Sequence, residues 1–374
     1  MIGRRRGAIA AAEELGWEPV VIDVPPRDEQ APDAFGGSIR WALEQAAELS
    51  HDHPPIGVAA VATGAVCAAA AVREYLGLPG ITPDTALRCH DKLAMKKAIA
   101  AAGIPCAPWR EITTETSADE LVATLGLPLV LKMPISSGGR GVWICKTAQE
   151  VAAKLRPGLL AEGFVCGTEM SIETLRHDGT TIFRNPTRYL KPRWANVVPA
   201  VLDTPQLDDI DALNERVHTA IGISDGISHM EIFLTPDGPV FGEIAARPPG
   251  GYIMELIRRA YGFNPWTSVL SLAVGKRPVA LPDHAGKTAG VWLIHPTAGQ
   301  ISEVLGLDKA LSAPEIISVS CRLRPGDVVP NRVGSGDSKG KIIAEAPDHR
   351  SCVAALEHAA DTIQILLTES LAQC

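Results

Sequence analysis

The chain has 374 residues, 35 Lys+Arg against 43 Asp+Glu, and a formal net charge of −8. Hydrophobic residues make up 46% and charged residues 21%, which excludes a disordered, fibrous or collagenous chain. The acidic balance and an aromatic share of 5% argue against nucleic-acid binding through a basic surface or a stacking platform.

At roughly 150 residues per domain, the length implies two or three domains. The cysteines (67, 89, 106, 145, 166, 321, 352 and 374) form no C-x-x-C pair, so they are expected as scattered thiols in a reducing cytoplasm, with no zinc site. No apolar run follows Arg4-Arg5-Arg6, so the start is not a signal peptide. The uncharged stretch Pro54 to Val72 divides into a strand, a Thr63-Gly64 turn and an Ala-rich helix. No membrane span is expected there.

In the first third, helices (Ala8 to Leu15, Ser38 to Leu49, Ala65 to Leu76) alternate with strands (Glu18 to Val24, Ile56 to Val61). That alternation predicts a parallel sheet, although a strand ahead of the first helix is not evident. A second region opens near Cys89 with a helix over Asp91 to Ala102, then a helix over Ser117 to Leu125 and a strand at Leu129 to Leu131. Further strands are expected at Gly141 to Cys145, Leu159 to Glu162, Met170 to Arg176, Thr181 to Arg184, His229 to Leu234 and Pro239 to Ile244. Asp178-Gly179 and Asp237-Gly238 read as hairpin turns, which makes this region α+β with antiparallel strands. Strands near Val291 to His295, Glu315 to Leu323 and Lys341 to Ala346 follow, then a helix from Cys352 to about Leu371.

Three segments carry chemistry. Lys132 ends a buried strand and precedes Ser136-Ser137-Gly138-Gly139-Arg140-Gly141, where glycines would let backbone N–H groups approach a polyphosphate beside a lysine charge. No Gly-Lys-Ser/Thr opens a helix, so this is not a Walker A loop. In Glu162-Gly163-Phe164-Val165-Cys166-Gly167-Thr168-Glu169, carboxylates flank an apolar turn that could grip a purine and its ribose. Glu231 and Glu243 lie on strands joined by Pro236-Asp237-Gly238. Facing carboxylates ask for a cation, and Mg²⁺ suits them. Arg247 follows, placed to clamp a transferring phosphoryl group. His229 reads as a neighbour of this site or a packed histidine rather than a ligand. Each segment taken singly also fits a plain hairpin with solvated charges.

Together, in this order behind Asp91-Lys92, the segments resemble the ATP-grasp superfamily. Pro296-x-x-Gly299 with Gly306-Leu307, Arg324-Pro325-Gly326-Asp327 and Gly336-Asp337-x-x-Gly340 resemble its L-amino acid ligase branch. The resemblance implies an N-terminal α/β (pre-ATP-grasp) domain over 1–88 and an ATP-grasp domain over 89–290 with a lid at about 117–163. An α+β C-terminal domain would cover 291–374. It implies ATP contacts from Lys92, Lys132, Ser136, Ser137, Gly138, Gly139, Gly141, Glu162, Phe164, Val165 and Glu169. Glu231 and Glu243 would hold Mg²⁺, with Mn²⁺ as a substitute, and Arg247 and Lys132 would be catalytic. The implied reaction joins a small carboxylic acid to an amine such as an amino acid, through an acyl phosphate, releasing ADP and phosphate. A homodimer is compatible with the resemblance, and neither nucleic acid nor membrane is an expected partner.

Two departures stand out. Ala245 occupies the place of an expected Asn, which removes a ligand from a second Mg²⁺. Arg193 and Asn196 precede Val197-Val198-Pro199, where many amino acid ligases carry Glu and His. With Arg184, Arg188 and Lys191 nearby, the segment suggests an acyl substrate that is anionic or lacks a free α-amine, met by Arg193, Asn196, Arg247, Gly250 and Gly251. Gly222-Ile223-Ser224-Asp225-Gly226 matches a nucleophile elbow in sequence only, because a helix precedes it and a strand follows. The alternatives are an ATP-grasp carboxylase or purine-biosynthesis-type enzyme using carbonyl phosphate, and a non-catalytic nucleotide-binding module.

Overall fold

The computed structural model describes residues 1–23, 36–52, 54–192, 194–332 and 334–368. The first third carries helices Arg6–Glu14, Gly36–Asp52 and Val66–Leu76. The parallel pairing expected here is short. Ile2 bridges Ile22 on one side and Ala60 on the other, with bonds such as Ile2 N–H to Ala59 O at 2.9 Å. The two expected strands, within the described residues, pair at the single residues Ile22 and Ala60 instead of forming ladders. Pro25-Pro26 lies outside the described residues.

Two antiparallel sheets face one another beyond this region. The smaller has four strands in the order Trp109–Glu111, Leu160–Gly163, Leu129–Lys132, Val142–Cys145. Helices Ala118–Leu125 and Ala148–Lys154 cover one face and bury Leu121, Leu129, Leu131, Val151 and Ala161. Alternation then sends Val130 and Lys132 to the opposite face.

The larger sheet has eight strands. Its order is Ile316–Cys321, Gly340–Ala346, Thr288–Ile294, Ala195–Val198, Thr180–Lys191, Thr168–His177, Gly226–Thr235, Gly238–Ala245. Strands from either side of residue 290 share it. Met170, Ile172, Met230 and Ile232 pack on one face against the helix Thr204–Ile221 and the N-terminal segment. The i±2 neighbours Glu169, Ser171, Glu173, His229, Glu231 and Phe233 occupy the other face. Thr180–Lys191 runs well past the expected Arg184, because Asn185, Thr187 and Tyr189 keep a polar alternation that hydrophobic counting misses.

The last helix is shorter than its pattern suggested. It spans His349–Thr362, and Gln364–Leu367 is a strand on Gly299–Leu305. Ile365 and Leu367 alternate into a small core with Ile301, so period two wins over period 3.6. Residues 369–374 lie outside the described set. Among the described residues the cysteines are free, and no helix is long and apolar enough to cross a membrane.

His218 gives the fold a measurable acid dependence. Burial lowers its pKa to about 4, against the backbone bond that favours the charged form. Its Nδ1–H donates to Asn214 O at 2.7 Å, and its Nε2 accepts from the Ser228 hydroxyl at 2.7 Å. Between pH 6.5 and about 4 the unfolded chain binds this proton and the folded chain does not, so stability falls as pH falls through that window. Equilibrium unfolding of His218→Leu over the same range should show a stability–pH slope shallower by up to about 1.4 kcal/mol per pH unit. An unchanged slope would contradict the buried neutral imidazole.

Candidate active site

Between the two sheets lies a cavity of about 550 Å³. Its lining gathers Lys92, Lys132, Ser136, Ser137, Gly138, Gly139, Glu162, Phe164, Val165, Glu169, Asn196, Glu231, Glu243, Arg247, Gly250 and Gly251. Gly141 is not in the lining. It closes the glycine loop from behind, with Met133 N–H donating to Gly141 O at 2.8 Å. A Cβ on Gly141 would meet the Met133 side chain at 2.7 Å, and its φ of +64° already favours glycine. Arg193 lies outside the described residues.

Each side chain arrives by a local cause. Asp91 caps the helix Lys92–Ala101, accepting from Leu93 N–H at 2.8 Å and Ala94 N–H at 3.0 Å, which fixes Lys92 at the first helical position. Lys92 Nζ then lies 3.2 Å from Glu243 Oε1 and donates to Ser136 O at 3.2 Å, tying the large sheet to the glycine loop. In the small sheet Val130 pairs with both Glu162 and Ile144, so these three share the cavity face with Lys132. Val130, Val142 and Ile144 form one apolar wall, and Phe233 and Phe241 of the large sheet form the other. That slot, beside the segment Gly163 to Val165, suits a flat base.

The charges answer one another. Glu162 is held by Lys96 at 2.8 Å and by Lys132. Burial would raise the Glu162 carboxyl, but the two lysines outweigh it and hold it below its ordinary value. Burial would likewise lower Lys132, yet Glu162, Glu243 and Glu231 leave it raised. Glu231 and Glu243 are direct partners across their strands. Glu231 is held at about 2: burial opposes this, while the His229 bond, its charge, Lys132 and Arg247 enforce it. His229 donates through Nδ1 to Glu173 at 2.8 Å, with Nε2 3.6 Å from Glu231. Those two carboxylates overcome burial and raise the His229 pKa to about 9. His229 is thus committed to carboxylates and is a neighbour of the expected metal ligands.

Arg247 is the exception. Its Nη1–H donates to Pro248 O at 2.8 Å, but Nε is buried without a hydrogen-bond partner among the described residues. Burial lowers its pKa, against the pull of Glu243 and Glu231. A buried guanidinium with a spare donor at a cavity wall fits an incoming oxyanion. Glu231 and Glu243 fit a hard cation that keeps water or phosphate oxygens, since two carboxylates make no complete cage and Ala245 adds no donor. Asn196 Nδ2–H donates to Gly251 O at 3.0 Å and so fixes the turn after Arg247.

The cationic segment does not assemble as expected. Arg184 is an ion-pair partner of Asp211, Arg188 is exposed, and Lys191 lies over the Trp194 ring at 4.1 Å. Arg184 and Arg188 sit at the parity opposite to Asn185, Thr187 and Tyr189, which puts them on the far face. Among the described residues of this stretch, Tyr189, Pro192 and Asn196 line the cavity. Sequence reasoning missed Lys96, Tyr189 and Glu173. Glu173 is 1% exposed and accepts from Ser171, Asn185, Thr187 and His229. Counting in twos from Glu169 would have put it on the cavity face. Glu173→Leu should lower stability by about 3–5 kcal/mol in urea unfolding, because it strands a buried charged imidazole. A loss under about 1 kcal/mol would contradict that network's role.

The comparisons with known proteins bear on the domains and the fold. Residues 97–253 match the ATP-grasp domain, and residues 291–368 match the L-amino acid ligase C-terminal domain 2. The chain is 26% identical over 283 residues to an L-arginine-specific L-amino acid ligase of Bacillus subtilis, covering 71% of this chain and 68% of that protein. It is 28% identical over 246 residues to dapdiamide A synthase of Enterobacter agglomerans, covering 58% and 57%. The crystal structure of an L-amino acid ligase from Bacillus licheniformis shares the fold, with a TM-score of 0.79 at 22% identity over 98% of both chains. The chain carries an ATP-grasp domain and, after it, a C-terminal domain of the L-amino acid ligase type.

Proposed function

We propose that this chain is an ATP-dependent carboxylate–amine ligase that forms an amide bond through an acyl phosphate and releases ADP and phosphate. The observation that carries the reading is the convergence of Lys92, Lys132, Glu231, Glu243 and Arg247, with its partnerless Nε, on one cavity. Lys92, Lys132 and the Ser136 to Gly141 loop bind the triphosphate. Glu162 holds Lys132 for the phosphates, the backbone at Phe164-Val165 takes the adenine, and Glu169 the ribose. Glu231 and Glu243 hold Mg²⁺, which supplies neutralisation of the phosphate oxygens. Arg247 bonds the acyl oxygen and the transferring phosphoryl group.

A carboxylate is a poor acyl donor because oxide would have to leave. Phosphorylation by the γ-phosphate of ATP gives it a good leaving group, and an amine then displaces phosphate. Such a transfer asks for alignment and charge neutralisation more than for a protein nucleophile, and this cavity is built from charges. The L-amino acid ligase type of the C-terminal domain favours an amine acceptor over bicarbonate chemistry. We assign 1–88, 89–290 and 291–374 to the three parts of such an enzyme, acting in the cytoplasm.

The acyl donor follows from what surrounds Arg247. Tyr189, Pro192, Asn196, Ile253 and Leu293 share the cavity lining with it, and the carboxylates in the lining, Glu162, Glu169, Glu231 and Glu243, all have nucleotide or metal roles in this reading. Among the described residues no further carboxylate is present to meet an α-ammonium. The donor is therefore an acid without a free α-amine, with an amino acid as acceptor.

Hydroxylamine trapping with ATP and Mg²⁺ tests this directly. Hydroxamate should form from N-acylated or amine-free acids and much less from free α-amino acids; equal turnover of the two classes would remove the donor assignment. Arg247→Ala should lower kcat by roughly 10²–10³, about 3–4 kcal/mol in the barrier, by analogy with loss of an oxyanion donor. Retention of full kcat would exclude Arg247 from the reaction.

A further inference from the structure

Lys96 has no place in the roles above, yet it is among the most buried charges of the cavity. It follows Lys92 by one turn on the helix Lys92–Ala101, so both lysines emerge on one face. Lys92 reaches Glu243, while Lys96 reaches Glu162. Lys96 is 2% exposed and Glu162 3%. Lys96 Nζ lies 2.8 Å from Glu162 Oε1 and 5.4 Å from the centroid of the Phe241 ring. The other carboxylate oxygen, Oε2, belongs to Lys132.

The charge count of this triad decides its use. Lys132 and Glu162 alone would be a closed, neutral pair, and the lysine would have little left to offer a phosphate. With Lys96 on the second oxygen, the carboxylate is shared and the triad keeps a net positive charge. Lys132 is the lysine nearer water: its side chain is 17% exposed, against 3% for that of Lys96. The surplus is thus offered to the cavity through Lys132.

We propose that Lys96 is a positioning residue, a buried counter-charge that occupies one oxygen of Glu162 and so frees Lys132 to bind a polyphosphate. This rests on the nucleotide reading of the cavity. It differs from a purely structural ion pair in one consequence: removing Glu162's charge together with Lys96 restores what removing Lys96 alone destroys.

The test is a double-mutant cycle read by calorimetric titration with MgADP, with thermal melting as the check on folding. Lys96→Met should weaken MgADP binding by about tenfold or more, and raise KM for ATP more than it lowers kcat. Lys96→Arg keeps the charge and should stay within about threefold of the parent. Lys96→Met with Glu162→Gln should recover most of the lost affinity. Unchanged binding by Lys96→Met, or a double variant no tighter than the single one, overturns the proposal. Should Lys96→Met not fold, Glu162→Gln and the double variant carry the test. They should bind MgADP within about threefold of one another, because Lys96 has no carboxylate left to occupy; a gap of about tenfold overturns the proposal. If the parent protein itself does not bind MgADP, the nucleotide reading fails, which is a distinct result.

Discussion

A cavity walled by ionised side chains is stable only if each buried charge is answered by another, and this requirement organises the structure around the cleft. Lys92 answers Glu243, Lys96 and Lys132 answer Glu162, and His229 answers Glu173. The pairs run between elements rather than within them. They join the helix Lys92–Ala101 to both sheets, and through that helix the small sheet to the large one. Assembly of the cleft and neutralisation of its charges are therefore one event. Arg247 Nε stands outside the pairing, which leaves a donor for an anion that the chain does not itself supply.

The same pairing bears on how ligands enter. Lys92 bridges Glu243 of the large sheet and Ser136 of the glycine loop, so the carboxylate pair and the loop share one lysine. The C-terminal segment also reaches this region. A Cβ on Gly334 would lie 3.1 Å from Gly138 O, so the loop that carries it abuts the glycine loop directly. Leu293, on a strand from the same segment, forms part of the cavity wall.

Much of this was legible in the chain. Turn pairs such as Asp237-Gly238, the helix opening at Asp91-Lys92 and the alternating strands located the elements that bring Lys92, Lys132, Glu162, Glu231, Glu243 and Arg247 together. What sequence could not give was direction. Arg184 and Arg188 look like a basic patch in one dimension, but strand parity turns them away from the cavity. Lys96 reads as an ordinary surface lysine on a helix, since nothing local reveals that Glu162 and Phe241 will close over it. Glu173 was hidden in the same manner, its buried charge made tolerable by partners on neighbouring strands. The tail misled through its period, because Ile365 and Leu367 continue a helical-looking apolar run yet bury as a strand.

The central claim is that the cavity passes the γ-phosphate of ATP to a carboxylate oxygen. An acid labelled with ¹⁸O in its carboxylate, turned over with ATP and an amine acceptor, tests it directly. Acyl phosphate formation moves one labelled oxygen into the released inorganic phosphate, and mass spectrometry of that phosphate should find it. Label appearing in AMP, or unlabelled phosphate alongside labelled amide and water, would contradict the account.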